Sequence, residues 1–173
     1  MVLPRVFFSL LLLVLMLPLG CAKVSRERTL PPSVRSVYVP IFVNRSAEPG
    51  LEERATVLTQ EQFLADGRLN LAEKRPADAI ILVTIKDYNE DAGSFASGDY
   101  PRRIRQTIKA DVEVLKNKPG RAPYGPVREV IATNLYNSDK RTIGYIPEPE
   151  AKDVLLRNFA REVVQEVLTG RLD

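Results

Sequence analysis

The chain contains no histidine, no tryptophan and a single cysteine, Cys21, among its 173 residues. Histidine and cysteine are the ligands that zinc and most transition metals prefer, so their scarcity argues against such a metal centre. The same absences exclude a serine or cysteine nucleophile activated by a neighbouring histidine. One cysteine cannot form an internal disulfide. We therefore expect neither a cofactor nor a metal site.

An excess of charge of one sign is also missing. Lysine and arginine number 25 against 22 aspartate and glutamate residues, a net charge of +3, so the protein has no strong overall field. Carboxylate pairs exist, but they fall at predicted helix starts and in loops, and no base or oxyanion arrangement accompanies them. The pairs are Glu52 with Glu53, Glu90 with Asp91, and Glu148 with Glu150. We expect no enzymatic activity.

Residues 1–20 carry the pattern of a secretory signal. Arg5 precedes an apolar run over residues 6–19, which is shorter than the roughly 20 residues of a membrane span. The stretch that ends in Cys21 resembles the lipobox of bacterial lipoproteins, in which the cysteine is acylated and becomes the first residue. Pro18 stands where that motif usually has leucine. The alternative is an ordinary signal peptide followed by an incidental cysteine.

The lipobox resemblance implies a palmitate-type lipid anchor on Cys21, since two or more acyl chains hold a protein on a membrane. Ala22, where an aspartate would favour the inner membrane, indicates the periplasmic side of a Gram-negative outer membrane. Removing 20 of 173 residues leaves 153. These divide into a lipidated tether, residues 21–32, and a single domain, residues 33–173.

Nucleic acid is not an expected partner outside the cytoplasm. The basic residues of the tether are either solvated or in contact with anionic head groups: Lys23, Arg26 and Arg28.

The first half of the domain has the pattern of a strand, a helix and a short strand. Residues 33–44 predict a strand that Pro40 places at an edge or interrupts. Its apolar face is predicted to consist of Val37, Val39, Ile41 and Val43. Residues 51–65 predict a helix that ends at Gly67, and residues 68–72 predict a short strand.

The middle of the chain predicts a hairpin. Residues 77–88 are apolar on both faces at their start, which is typical of a central strand. Residues 89–98 are acidic and contain glycine, so we expect a mobile hairpin loop. Residues 102–115 alternate between apolar and polar, which predicts a strand with one covered face and one open face. Residues 116–125 predict a second long loop.

The last third of the chain predicts a strand over 127–136, an irregular connection over 137–149 and a strong helix over 151–169 that ends at Gly170. In the strand, one set of apolar residues is assigned to the covered face and another to the opposite face. The first set is Val127, Ile131 and Leu135, and the second is Val130 and Ala132. The predicted fold is an α+β two-layer sandwich, with two helices on one face of a mostly antiparallel four- or five-stranded sheet.

Seven basic residues lie along the predicted polar strand face and in the loop after it. Arginine presents a rigid fork of donors that suits phosphate oxygens, so these residues are candidates for anion binding. They are Arg102, Arg103, Arg105, Lys109, Lys116, Lys118 and Arg121. The alternative is a solvated strand face whose charges discourage aggregation at the sheet edge.

Five stretches of the chain read LPPSVRSV at 30–37, VPIFVNR at 39–45, EPGLE at 48–52, EQFLADGRL at 61–69 and ADA at 77–79. Together they resemble the LptE family, the outer-membrane lipoproteins of lipopolysaccharide assembly. The resemblance implies a plug inside the lumen of the β-barrel LptD, where the pair places lipopolysaccharide in the outer leaflet. The family is described as binding lipopolysaccharide through basic residues near strand ends, but the matched motifs lie elsewhere, so no ligand residue is carried over.

Two further interpretations stay open. A plug in a barrel lumen needs a polar surface, which would explain the basic residues without a bound ligand. An envelope lipoprotein of this size could instead bind and activate a peptidoglycan synthase, although the short tether counts against reaching across the periplasm.

Overall fold

The computed structural model describes residues 30–95, 101–141 and 143–169. The predicted signal peptide, the lipidation site Cys21 and the tether up to residue 29 lie outside the described residues, as does the predicted helix end at Gly170. Within the described ranges, neither helix has a segment apolar enough and long enough to cross a bilayer.

The described residues form six strands and two helices. In chain order these are β1 (Ser36–Tyr38), β2 (Val43–Asn44), α1 (Leu51–Asp66), β3 (Asn70–Leu71), β4 (Ala79–Phe95), β5 (Pro101–Lys116), β6 (Arg128–Asn137) and α2 (Glu148–Thr169). The strand order is β3-β1-β4-β5-β6, with β2 also paired to β4. The predicted α+β fold is confirmed.

The sheet is mixed, whereas the sequence predicted a mostly antiparallel sheet. β1 pairs parallel with β3 and β4, and β2 pairs parallel with β4. The pairs β4–β5 and β5–β6 are antiparallel. Parallel neighbours need a crossover connection, and α1 supplies it between β2 and β3.

The strand predicted over residues 33–44 is divided at Pro40, which interrupts it as expected. The assignment of its faces is wrong beyond that point. Val37 is buried, but Ile41 is 62% exposed and Phe42 is buried in its place. The Phe42 N–H donates to Thr56 Oγ1 on α1 at 2.9 Å instead of to a neighbouring strand. Because the chain leaves the ladder at a proline, the alternation begins again out of phase.

Helix α1 follows its prediction. Leu51, Ala55 and Leu58 are all buried. Gly67 closes the helix with φ 71°, and its N–H donates to the Phe63 carbonyl at 3.1 Å. A left-handed residue at this point costs a glycine little, which is why the prediction of the helix end is correct.

The mobile loop predicted over residues 89–98 is wrong over residues 89–95, and residues 96–98 lie outside the described residues. β4 continues to Phe95, with Asn89 opposite Thr107 and Asp91 opposite Arg105. Polar side chains are tolerated here because backbone pairing with β5 outweighs their weak strand propensity.

The alternation predicted for β5 is confirmed. Ile108, Ala110 and Val112 are buried under the helices, and Gln106 joins them with no exposed surface. Opposite β5, the register of β4 shifts between Ile85 and Asp87. Such a bulge changes which residues face the core.

In β6 the predicted faces are reversed. Val130 and Ala132 are buried, whereas Val127, Ile131 and Leu135 are 54%, 48% and 47% exposed. Residues directly opposite each other in an antiparallel pair share a face. Val130 lies opposite the buried Ala110, while Ile131 lies opposite Lys109 on the open side. Both sets of β6 residues are apolar, so the pattern alone could not distinguish them.

Helix α2 supplies a large part of the core. It begins at Glu148, three residues before the prediction, and it buries every residue of its predicted apolar stripe. Those residues are Leu155, Leu156, Phe159, Ala160, Val163, Val164, Val167 and Leu168. Phe159 meets Phe42 edge to face, with ring centroids 6.4 Å apart. The helices pack on one face of the sheet, and the other face of the β4–β5–β6 hairpins is left open.

Candidate functional site

The structure separates the predicted basic residues into two groups. Arg103, Arg105 and Lys109 project from the open face of β5 and are called here the strand-face cluster. Lys116 ends β5, and Lys118 and Arg121 follow in the next loop. At about 3.3 Å per residue, the 13 steps from Arg103 to Lys116 span about 40 Å. The seven residues therefore do not form one site, and the side chain of Arg102 lies outside the described part of the chain.

The strand-face cluster makes no ion pair with the described residues, although on β4 Asp87 lies directly opposite Lys109 and Asp91 directly opposite Arg105. Arg103 and Arg105 are exposed, and Lys109 is half-buried. The Arg103 Nε–H donates to Asn137 Oδ1 at 3.4 Å, a weak contact. None of the three cations lies within ion-pair distance of a carboxylate in the described ranges.

Apolar side chains accompany these cations. Ile131 lies directly opposite Lys109, and Leu135 directly opposite Arg105, so cations and exposed aliphatic side chains share the outer surface of β5 and β6. Such a surface offers both charge-assisted hydrogen bonds and hydrophobic contact. It suits a ligand or a partner that is itself anionic and apolar.

The second group is larger than the sequence indicated. Lys118 and Arg121 line an open groove of about 540 Å³ together with Lys74 and Arg75 from the loop before β4. We call this the tether-end groove. Asn117 joins the two loops, because its Nδ2–H donates to the Ala77 carbonyl at 2.8 Å.

Lys74 and Arg75 were missed because they are 43 or more residues away from Lys118 and Arg121 in the chain. Their signal was two adjacent cations before Pro76 in a predicted connection, which by itself is typical of a solvated loop. Lys116 lies outside this groove and stands over the Tyr124 ring, 5.5 Å from its centroid. A cation–π contact of this kind holds the lysine at the end of β5.

A carboxylate next to the tether-end groove is already occupied. Asp78 Oδ2 accepts hydrogen bonds from the Arg35 and Ser36 backbone N–H groups, both at 3.0 Å, and from Ser36 Oγ at 2.8 Å. The Arg35 N–H, followed by the Ser36 hydroxyl, holds the pKa of the Asp78 carboxyl below its usual value. This carboxylate therefore fixes the start of β1 rather than neutralising the groove.

Many basic side chains elsewhere in the described ranges are paired. Lys86 contacts Asp111 at 2.8 Å and Glu129 at 2.7 Å on the open face of the sheet. Further pairs join Arg128 to Glu166, Lys152 to Glu48, Arg54 to Asp153, Arg68 to Asp66 and Arg141 to Asp139. The strand-face cluster and the cations of the tether-end groove therefore differ from these ion-paired side chains.

A partly buried polar cluster lies on the sheet face opposite the strand-face cluster, where Gln106 is buried, Tyr88 is half-buried and Glu90 is exposed. Gln106 Nε2 donates to Glu90 Oε1 at 2.8 Å and to the Tyr88 hydroxyl at 3.2 Å. Burial, together with the hydrogen bond to Glu90, raises the pKa of the Tyr88 phenol. A phenol held in its neutral form cannot serve as a general base. These hydrogen bonds satisfy the buried amide nitrogen of Gln106.

In the described residues, no buried side-chain nitrogen or oxygen lacks a hydrogen-bond partner. Nor does any group of three or more cysteine, aspartate or glutamate side chains in those ranges converge as metal ligands would. The candidate surfaces in the described residues are the open sheet face with its strand-face cluster and the tether-end groove.

Solved structures with this fold share little sequence with the chain. The hypothetical protein CT253 from Chlamydia trachomatis aligns with a TM-score of 0.57 at 9% identity, over 77% of this chain and 95% of that one. A minor lipoprotein from Acinetobacter baumannii aligns with a TM-score of 0.50 at 8% identity, over 78% of this chain and 93% of that one. At these identities the likeness is one of fold.

A comparison with curated protein sequences finds no match. The model of the LptE family, described as lipopolysaccharide-assembly, matches residues 34–169, from two residues before β1 to the end of α2. This range contains all six strands and both helices of the described residues, and the protein therefore belongs to the LptE family.

Proposed function

We propose that the protein is a non-catalytic, outer-membrane lipoprotein that acts as plug and assembly partner of an LptD-type β-barrel in lipopolysaccharide transport. The family match over residues 34–169 is the observation that carries this proposal. The lipobox-like stretch before Cys21, with Ala22 after it, supports an anchor facing the periplasm. The absence of histidine from the chain supports a role without acid–base or metal chemistry.

The open face of the sheet fits a barrel lumen. Barrel interiors are polar, so a plug needs a polar surface that can replace its hydrogen bonds to water with hydrogen bonds to the barrel wall. The open face carries the Lys86 ion pairs and the strand-face cluster on one twisted surface. Its exposed Ile131 and Leu135 add apolar contact area of the kind that strengthens a protein–protein interface.

Lipopolysaccharide is the proposed ligand of the strand-face cluster. Its lipid A portion combines phosphate groups with acyl chains. Arg103 and Arg105 offer donor forks for the phosphates, and Ile131 and Leu135 offer aliphatic surface beside them. The phosphates of lipid A thus match the cations of this surface, and its acyl chains match the aliphatic side chains.

The barrel partnership is tested by affinity purification of the tagged protein from detergent-solubilised envelopes. We expect a large β-barrel protein in near-equal amount, identified by mass spectrometry. A double variant, Ile131→Ser with Leu135→Ser, should recover less barrel because it removes apolar area from the open face.

The matched control is Val57→Ser with Leu64→Ser, which removes exposed apolar side chains from α1 on the opposite side of the molecule. It should recover as much barrel as the unmodified protein. Recovery of a peptidoglycan synthase without any barrel would contradict the proposal and favour the alternative role.

A further inference from the structure

The described chain begins at the same end of the molecule as the tether-end groove. Leu30 is only 3% exposed and lines a small cavity with Val114, Tyr124 and Val167. The Tyr124 N–H donates to the Val114 carbonyl at 2.8 Å, which places this cavity beside the loop that carries Lys118 and Arg121. The tether therefore enters the domain at this end and is held there by a buried leucine.

The next residues of the chain stay at that end. The Asp78 carboxylate binds the backbone of Arg35 and Ser36, and the Asn117 N–H donates to the Asp78 carbonyl at 3.0 Å. The start of the domain, the loop before β4 and the loop after β5 thus form one connected surface around the groove.

This surface carries an excess of positive charge. Residues 73–78 and 116–121 contain five basic and two acidic side chains. One of the acids, Asp78, is engaged by the hydrogen bonds just described. Lys74, Arg75, Lys118 and Arg121 make no ion pair with any described residue. All four are exposed, so their charges are available to a partner.

The length of the tether limits how far this surface can be from the membrane. Nine residue steps separate Cys21 from Leu30. Fully extended, they span at most about 30 Å. Lys23, Arg26 and Arg28 add three cations between the anchor and the domain. Electrostatic attraction to an anionic bilayer acts within a Debye length of about 8 Å at physiological salt, so a tethered domain can reach that range.

We propose that the tether-end groove docks on the anionic phospholipid head groups of the membrane that holds Cys21. The inference depends on the proposed lipid anchor and is independent of the barrel partnership. Each cation close to such a surface favours the docked state by about fivefold. Docking would hold this end of the molecule at the head groups, with Arg103 about 40 Å away along β5. The tether-end groove and the strand-face cluster would then have different ligands.

Hydrogen exchange of the full lipidated protein tests this inference. The protein is reconstituted in vesicles of phosphatidylcholine alone and in vesicles with about 30% phosphatidylglycerol, which have a surface charge comparable to that of an anionic leaflet. We expect amides of residues 73–78 and 116–121 to exchange more slowly, by about fivefold or more, on the anionic vesicles. Adding about 0.5 M NaCl should abolish the difference, because salt screens the attraction.

Charge variants identify the groove as the source of the protection. Lys118→Ser with Arg121→Ser should lose the slower exchange in residues 73–78. Arg45→Ser with Lys140→Ser removes the same charge from exposed cations elsewhere and should retain it.

Three results would overturn the inference. Equal exchange on both kinds of vesicle would show that the groove does not dock on phospholipid. Protection that arises only when lipopolysaccharide is added to the vesicles would assign the groove to that ligand instead. An unmodified Cys21 thiol in the mass spectrum of the starting protein would remove the anchor. Neither of the first two results affects recovery of the barrel, so a failure here is distinguishable from failure of the proposed function.

Discussion

At the scale of single residues, Asp78 connects the start of β1 with the loop before β4. Its carboxylate accepts three hydrogen bonds, two of them from backbone N–H groups that would otherwise face solvent. Its pKa is lowered first by the Arg35 N–H and then by the Ser36 hydroxyl. A lowered folded-state pKa means that the charged form stabilises the fold, and that this contribution is lost as the pH falls through the folded pKa.

Asp78→Asn should therefore destabilise the protein at pH 7 by about 1 kcal/mol, a low value for bonds to a charged group because water competes at this exposed site. The difference from the unmodified protein should persist above the unfolded aspartate pKa of about 3.9 and shrink at lower pH, as the carboxylate itself becomes protonated. Urea unfolding between pH 7 and pH 3 measures it. Glu162→Gln, at an exposed position on α2, should change stability by less than about 0.5 kcal/mol. A pH-independent effect of Asp78→Asn would contradict the assignment.

At the scale of elements, the contact between α2 and the β1–β2 segment shows how packing decides stability. Phe159 has no exposed surface and meets Phe42 edge to face. Such a pair adds to the free energy of burying both rings. Leu64, on the outer side of α1, is 66% exposed and has no comparable role.

Phe159→Ala should lower the free energy of unfolding by about 3–5 kcal/mol, because it leaves a cavity between the two helices and the sheet. Phe159→Leu, which keeps most of the volume, should cost less than half as much. Leu64→Ala is the control and should stay within about 0.5 kcal/mol. Denaturant unfolding followed by circular dichroism measures all three. A loss for Phe159→Ala no greater than for Leu64→Ala would show that this contact does not stabilise the core.

At the scale of the whole molecule, β5 places two basic surfaces far apart. The strand-face cluster lies towards its start, and the tether-end groove lies beyond its end. With the tether entering at the groove, the proposed ligands divide accordingly: phospholipid head groups at one end and lipopolysaccharide along the open face.

Replacing Arg103, Arg105 and Lys109 with serine should weaken lipopolysaccharide binding about tenfold, at roughly 0.5 kcal/mol for each exposed ionic contact. The effect should diminish as salt increases, because screening weakens binding by the unmodified protein more than by the variant. Calorimetry at two salt concentrations measures both. Arg45→Ser, Lys140→Ser and Arg161→Ser together remove the same charge and should leave binding nearly unchanged. Equal losses in both triple variants would indicate a general effect of net charge rather than a site.

Periodicity in the sequence was sufficient to predict the buried face of an element whose apolar pattern allows only one interpretation. Helix α2 has one apolar stripe and β5 one apolar face, and both are buried as predicted. Gly67 marks the end of α1 because few other residues accept its backbone conformation. The family resemblance in residues 39–45 and 63–68 is confirmed by the match over residues 34–169.

Only the tertiary structure decided the rest. β6 is apolar on both faces, so its orientation depends on its register with β5, a contact between distant parts of the chain. The parallel pairing of β1 with β3 and β4 likewise depends on how α1 crosses over the sheet. The tether-end groove joins Lys74 and Arg75 to Lys118 and Arg121 from a separate loop. Local sequence determines which residues can form a helix or a strand, but the pairing of strands determines which side chains meet, because that pairing is a property of the folded chain.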